Sequence, residues 1–258
     1  MQSSAQRLLV CTMAILTLSL MSTQLQAQRR VSPHGFRVTY PGAVAIGLQG
    51  GSNWNYGING PAAFCDCAFE SGSDLSYHAG IHLDFYLNRW FGLRLQGLYE
   101  DQSTVYTKDW RTAVFRADGS QEDVELQRRS EVDAQYASIS FHALWLTGAG
   151  GLYVLTGAEA GFFLDGSYLE EEFITTEDLV FTGGSSHRIL ADESLDASTD
   201  VYTRAVLVLG AGYDIALARG AALAPEIQIG FPLTSVVKGN SDWRLLVFRG
   251  GLNIRFGI

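Results

Sequence analysis

Cys65-Asp66-Cys67 sets two thiols two positions apart, in a stretch with no further cysteine nearby. A bridge across so short a span is strained, which leaves a labile disulfide between the two, a disulfide to a second molecule, or a soft metal held with outside help. No second Cys or Cys/His pair stands close enough to complete a zinc site, so no metal site is expected. Ser138, Ser140 and His142 recur every second residue, as do His82 and Asp84 with His78 four positions earlier. On a strand each set shares one face, where Ser, His and an acid could make a nucleophile and its base. The bland alternative is hydrogen bonding to Glu159, Glu226 and nearby arginines inside a narrow interior, and it is the stronger expectation. Glu170-Glu171-Glu172, Glu177-Asp178, Asp192-Glu193 and Asp196 cluster in a way that can hold calcium outside a cell, but their spacing fits no EF-hand. A solvated acidic loop is expected there, no cofactor signature appears, and the chain is not expected to be an enzyme.

The elements that position these residues begin after a leader. Arg7, an apolar run of about 14 residues from Leu8 to Met21, and Ser-Thr-Gln-Leu-Gln-Ala27 have the three-part pattern of a secretory signal peptide, and the run is short of the ~20 residues a spanning helix needs. The expected organisation is a signal peptide over 1–27, a short periplasmic N-terminal segment over 28–42, and one domain over 43–258. A net charge of −9 and a pI near 5.0 argue against a nucleic-acid partner, which requires a basic face.

Strand alternation dominates the chain beyond the leader. Leu246, Phe248, Leu252, Ile254, Phe256 and Ile258 oppose Arg249, Asn253 and Arg255. Tyr77, Ala79, Ile81, Leu83, Phe85 and Leu87 oppose His78, His82 and Asp84, while Phe91, Leu93, Leu95 and Tyr99 oppose Arg94, Gln96 and Glu100. Similar sorting holds over 136–146, over 152–165 against Glu159 and Asp165, over 201–217 against Arg204 and Asp214, and over 223–233 against Glu226 and Gln228; Val44, Ile46 and Leu48 form a weaker first strand. The apolar face carries no charge. The other carries Arg and carboxylates in near balance and no lysine, as suits a closed lumen where charges must pair.

Connections alternate in length: short at 88–90, 147–151 and 218–220, long at 52–76, 102–133 and 166–200, with a short last turn near 238–240. Outer-membrane barrels alternate in the same way. Phe85, Phe91, Trp145, Tyr213 and Phe256 fall near the short-turn end of the apolar face, and Tyr77, Tyr99, Phe162 and Phe231 near the other, as two interface girdles would. The expected fold is all-β: a closed antiparallel up-and-down transmembrane barrel of eight strands, each of roughly 9–13 residues. Eight strands leave an interior that side chains fill. The expected lumen network is His78, His82, Asp84, Arg94, Glu100, His142, Glu159, Arg204, Asp214, Glu226, Arg249 and Arg255.

Ala45-Ile-Gly-Leu-Gln-Gly-Gly51, the hairpin from Tyr77 to Glu100, Tyr136-Ala-Ser-Ile-Ser-Phe-His-Ala-Leu-Trp145 and the final Gly251-Leu-Asn-Ile-Arg-Phe256 resemble the PorT-like, or outer membrane protein β-barrel, group of small barrels in Bacteroidetes and related bacteria. The resemblance covers nearly all of the chain after the leader and implies service to a secretion or surface-assembly machine. The expectation is therefore a non-enzymatic barrel in the bacterial outer membrane, its termini in the periplasm and its long loops outside, with a structural or interaction role in envelope integrity, adhesion or secretion. Its partners would be outer-membrane lipid and envelope or secretion proteins. The alternatives are a narrow porin-like channel for small solutes and a lipid-modifying outer-membrane enzyme.

Overall fold

The computed structural model describes residues 43–59, 69–115, 121–147, 151–176, 179–181, 184–195, 203–218, 220–236 and 243–257. The leader, the segment 28–42, Cys65, Cys67, Glu177, Asp178 and Asp196 lie outside the described residues. Ten strands follow one another among the described residues: β1 (Ala43–Ile58), β2 (Ser71–Tyr86), β3 (Phe91–Phe115), β4 (Gln121–Leu146), β5 (Leu152–Ile174), β6 (His187–Ser194), β7 (Arg204–Tyr213), β8 (Ile215–Ala218), β9 (Ala221–Pro232) and β10 (Arg244–Gly257).

All described pairings are antiparallel, and they close on themselves. The order runs β10-β1-β2-β3-β4-β5-β7-β9, and β9 pairs back onto β10. β8 pairs β9 just beyond the end of β7, so β7 and β8 form one position of the wall, broken at Asp214. β6 pairs β5 outside the ring. The ring thus has eight positions, and the sequence segment 201–217 is two strands rather than one.

Period-two alternation sets the two surfaces of the wall. Ala222, Ala224, Glu226 and Gln228 of β9 are buried inside, whereas Ile227 on the same strand is 68% exposed outside. The same sorting puts Leu48, Ile81, Leu95, Phe141, Leu209 and Leu252 on the outer wall, all at least 45% exposed. So large an exposed apolar belt requires an apolar surrounding.

Three expectations need correction. The long connections are mostly strand: β3, β4 and β5 have 25, 26 and 23 residues, and they carry the sheet well past the belt. There the outer face turns polar while Tyr106, Val124, Leu126, Val132 and Tyr168 stay buried among polar residues on the inner one, so the apolar outer half of the alternation fades while the backbone pairing continues. Lysine is not absent from the strands, because Lys108 lies in β3. Asp165 does not face the lumen. Tyr136 pairs with Phe163 and Gln135 with Asp165, so the bulge at Leu164 flips the parity and leaves Asp165 exposed.

Candidate functional site

Among the described residues, nine Arg, Asp and Glu side chains and three histidines converge on the lumen, and two ionic clusters hold the nine. Nearer the short turns, Arg94 of β3 reaches Asp84 of β2 at 2.7 Å and Glu226 of β9 at 2.8 Å. Arg255 of β10 contacts Asp84 at 3.5 Å, Asp214 at 2.8 Å and Glu226 at 3.6 Å. Tyr153 donates its hydroxyl to Glu226, and both guanidinium groups lie over its ring, at 5.8 and 4.4 Å. Nearer the long hairpins, Arg249 holds Glu159 at 2.8 Å and also pairs with Glu100. Arg204 completes that group by pairing with Glu100 at 2.6 Å and with Glu159. Ser138 donates to Glu100 at 2.6 Å.

These contacts need room that glycine supplies. A Cβ on Gly47 would stand 2.2 Å from the His82 ring, and one on Gly212 would stand 2.2 Å from the Tyr153 hydroxyl. Between the two clusters a void of about 10 Å³ is lined by Gln49, His78, Gln228, Arg249 and Asn253 among others. That is room for about one water.

The three histidines complete the set without assembling a catalytic group. His78 bonds through Nδ1 to Asn53 at 2.7 Å. His82 approaches Asp84 only at 3.8 Å, and the ring nitrogens of His82 and His142 have no hydrogen-bond partner among the described residues. The Ser140 hydroxyl is likewise unpartnered, while that of Ser138 is committed to Glu100. A nucleophile needs its base within hydrogen-bond reach; Ser140 has none among the described residues, and the carboxylate that Ser138 reaches is already paired with Arg204 and Arg249.

Above the second cluster an aromatic cap crosses the mouth. Trp243 donates its indole N–H to the Tyr106 hydroxyl, the two rings lie 6.3 Å apart, and Phe69 stands 5.8 Å from Tyr106. Val132, Tyr168, Val236, Leu245 and Val247 fill around them. Sequence reasoning missed this cap because Phe69, Tyr106, Val132 and Tyr168 fall in segments expected to be loops. Their signal was bulky aromatics and a valine in otherwise polar stretches.

All nine girdle aromatics stand on the outer wall. Phe91 and Trp145 pack edge-on at 5.0 Å near the short turns, and Tyr77 and Tyr99 lie 6.1 Å apart toward the long hairpins. Trp54 stacked on Phe248 at 5.2 Å extends the second row.

Beyond the belt, β3 to β6 form an open sheet. Gln127 donates to Asp109 at 2.8 Å, Arg111 pairs with Glu125, and these residues with Trp110, Leu126 and Thr175 line a groove of about 430 Å³. Carboxylates crowd the foot of this sheet. Partial burial and then Asp74 raise the Asp101 carboxyl above its ordinary value; burial and then Glu131, Asp101 and Asp74 do the same at Asp133. The acidic run is not a free loop: Glu170 pairs with Arg128 at 3.1 Å, Glu171 with His187 at 2.9 Å, and Glu172 with Arg188.

No family model and no curated protein sequence matches the chain. Among solved structures it is similar to Ail, the attachment invasion locus protein of Yersinia pestis, at 11% identity over 84% of this chain and 100% of that one, with a TM-score of 0.36. It is similar to Neisserial surface protein A at 11% identity, 82% and 97% coverage and a TM-score of 0.34. Outer membrane protease OmpT from Escherichia coli aligns at 6% identity, 84% and 97% coverage and a TM-score of 0.37. Likenesses this loose leave the fold to rest on the strand pairing described above.

Proposed function

We propose that the chain is an integral barrel of the bacterial outer membrane with a structural or interaction role, its termini in the periplasm and its long hairpins outside the cell. The uncharged outer wall bounded by two rows of aromatics supports the membrane setting, since a lipid-facing band is apolar and flanked by interfacial Trp, Tyr and Phe. The signal-peptide pattern and the alternation of short turns with long hairpins support the location and orientation. The PorT-like grouping rests on the strand sequences alone and makes an envelope or secretion machine the favoured partner.

The observation that carries the role is the filled lumen. Two ionic clusters and an aromatic cap occupy the interior in series, which leaves the extended outer sheet as the surface on which the protein acts. The test is conductance of the purified protein in planar lipid bilayers. No steady unitary current is expected, and a reproducible open level would overturn this reading in favour of the narrow channel. Mass analysis of lipid A and phospholipids exposed to the protein tests the lipid-modifying alternative and is expected to show no change.

A further inference from the structure

β6 lies outside the ring and pairs only with β5, so its second edge carries no strand among the described residues. Such an edge presents unpaired N–H and C=O groups on which an extended chain can add as a further strand. Six of its eight residues are exposed, Ile189 and Leu190 among them.

Charge on this edge is sorted along the strand. Its upper half is basic but already engaged. Arg188 donates to Glu172 at 2.8 Å and lies over the Phe181 ring at 4.4 Å, while His187 bonds to Glu171 and stacks on Phe173 at 4.9 Å. Its lower half is Asp192-Glu193, both exposed, with no cation paired to either among the described residues. Glu170, Glu171 and Glu172 are each matched by a cation, so the described carboxylates of β6 itself, Asp192 and Glu193, stand apart as unmatched negative charge at its free edge. Consecutive strand residues face opposite sides, so an added strand meets one carboxylate on each face. A second open edge among the described residues, β3 beyond Tyr106, contrasts with this one, since there Arg111 pairs with Glu125 and Asp109 accepts a hydrogen bond from Gln127.

We propose that the free edge of β6 captures an extended segment of a partner protein that carries two consecutive basic residues, a spacer residue and an apolar pair, added antiparallel to β6. The proposal rests on the outward placement of this sheet argued above. In that register the basic pair opposes Glu193 and Asp192 on the regular part of the strand, and the apolar pair meets Leu190 and Ile189, where Leu190 is the bulged residue of β6. Opposite charges across a pair stabilise the added strand, and like charges repel it. A second copy of this chain does not fit. An antiparallel pairing of β6 with itself runs about a two-fold axis across the strands, which inverts the second barrel and takes it out of the shared membrane.

The test uses the protein in detergent micelles, with folding checked by its heat-shifted gel mobility, and a fluorescein-labelled decapeptide containing Lys-Lys-Thr-Val-Val. Saturable binding by fluorescence anisotropy is expected, weakened about tenfold or more by Asp192→Lys with Glu193→Lys. A Glu-Glu version of the peptide is expected to recover binding on that double variant. Methylating alternate peptide amides must abolish binding in one phase of alternation and spare it in the other. No binding to the folded protein, or equal binding by both methylated peptides, would overturn the proposal. A conducting barrel that binds the peptide would sink the filled-lumen reading and leave this site standing, and a silent barrel that ignores the peptide would do the reverse.

Discussion

The same strands make two different structures on either side of the Tyr77–Tyr99 row. Below it, charge is confined to the lumen, where Arg94 and Asp84 are fully buried. Above it, ion pairs also form in the open, as at Arg111 and Glu125, whose side chains are 76% and 53% exposed, although Glu170 and Glu172 stay buried beside Arg128 and Arg188. A single pairing pattern runs through both, from Phe91 opposite Trp145 to Phe115 opposite Gln121. Backbone hydrogen bonding therefore sets the shape of β3 and β4, while the surroundings of each half decide what its side chains contribute.

Substitution of matched residues in the two halves breaks the comparison most directly. Arg94→Ala leaves the buried Asp84 and Glu226 with Arg255, at longer range, as their only arginine and is expected to cost about 3–5 kcal/mol, whereas Arg111→Ala removes an exposed pair worth ~0–1 kcal/mol. Urea unfolding followed by loss of heat-modifiable mobility measures both; equal losses would mean that burial is not what separates the halves. Next in size, Phe141→Arg puts a charge on the middle of the outer wall and is expected to cost about 2–4 kcal/mol in a phospholipid bilayer. Thr107→Arg, on an exposed position of the extension, should leave unfolding in bilayers unchanged, and a comparable loss there would move the boundary of the membrane.

The smallest expected effect sharpens the contrast through pH. Asp133 has a raised value in the folded protein, so its contribution favours the fold at low pH and turns unfavourable as pH rises through that value. Asp133→Asn should therefore slow amide exchange in the extension at neutral pH, with the gain fading below about pH 4. Hydrogen-exchange mass spectrometry corrected for intrinsic rates reads this, and a gain that persists in acid would point to packing rather than charge.

What could be read from residues alone follows the same boundary. Ile81, Leu95 and Phe141 alternate with His82, Arg94 and His142, and that contrast marks both faces of the wall without any knowledge of the fold. Past Tyr99 the contrast is gone: Thr107, Lys108 and Asp109 give no preferred face, so strands of 25 and 26 residues look like loops. The partners of each lumen charge were equally hidden, because Arg94 and Glu226 are 132 positions apart and meet only when the ring closes. Asp165 was misplaced for a local reason, since one bulged residue reverses every side chain after it. The free edge of β6 had no signature at all, being a property of what fails to pair with it.

The ring is joined between its first and last strands, where Ala45–Ile58 meets Arg244–Gly257 in unbroken register. In folding, β1 must wait for a partner that is synthesised some two hundred residues later, so this seam is the most non-local pairing in the wall and is expected to form late. Until then both rims of the nascent sheet are adhesive, and an unclosed intermediate is the species most exposed to aggregation in water.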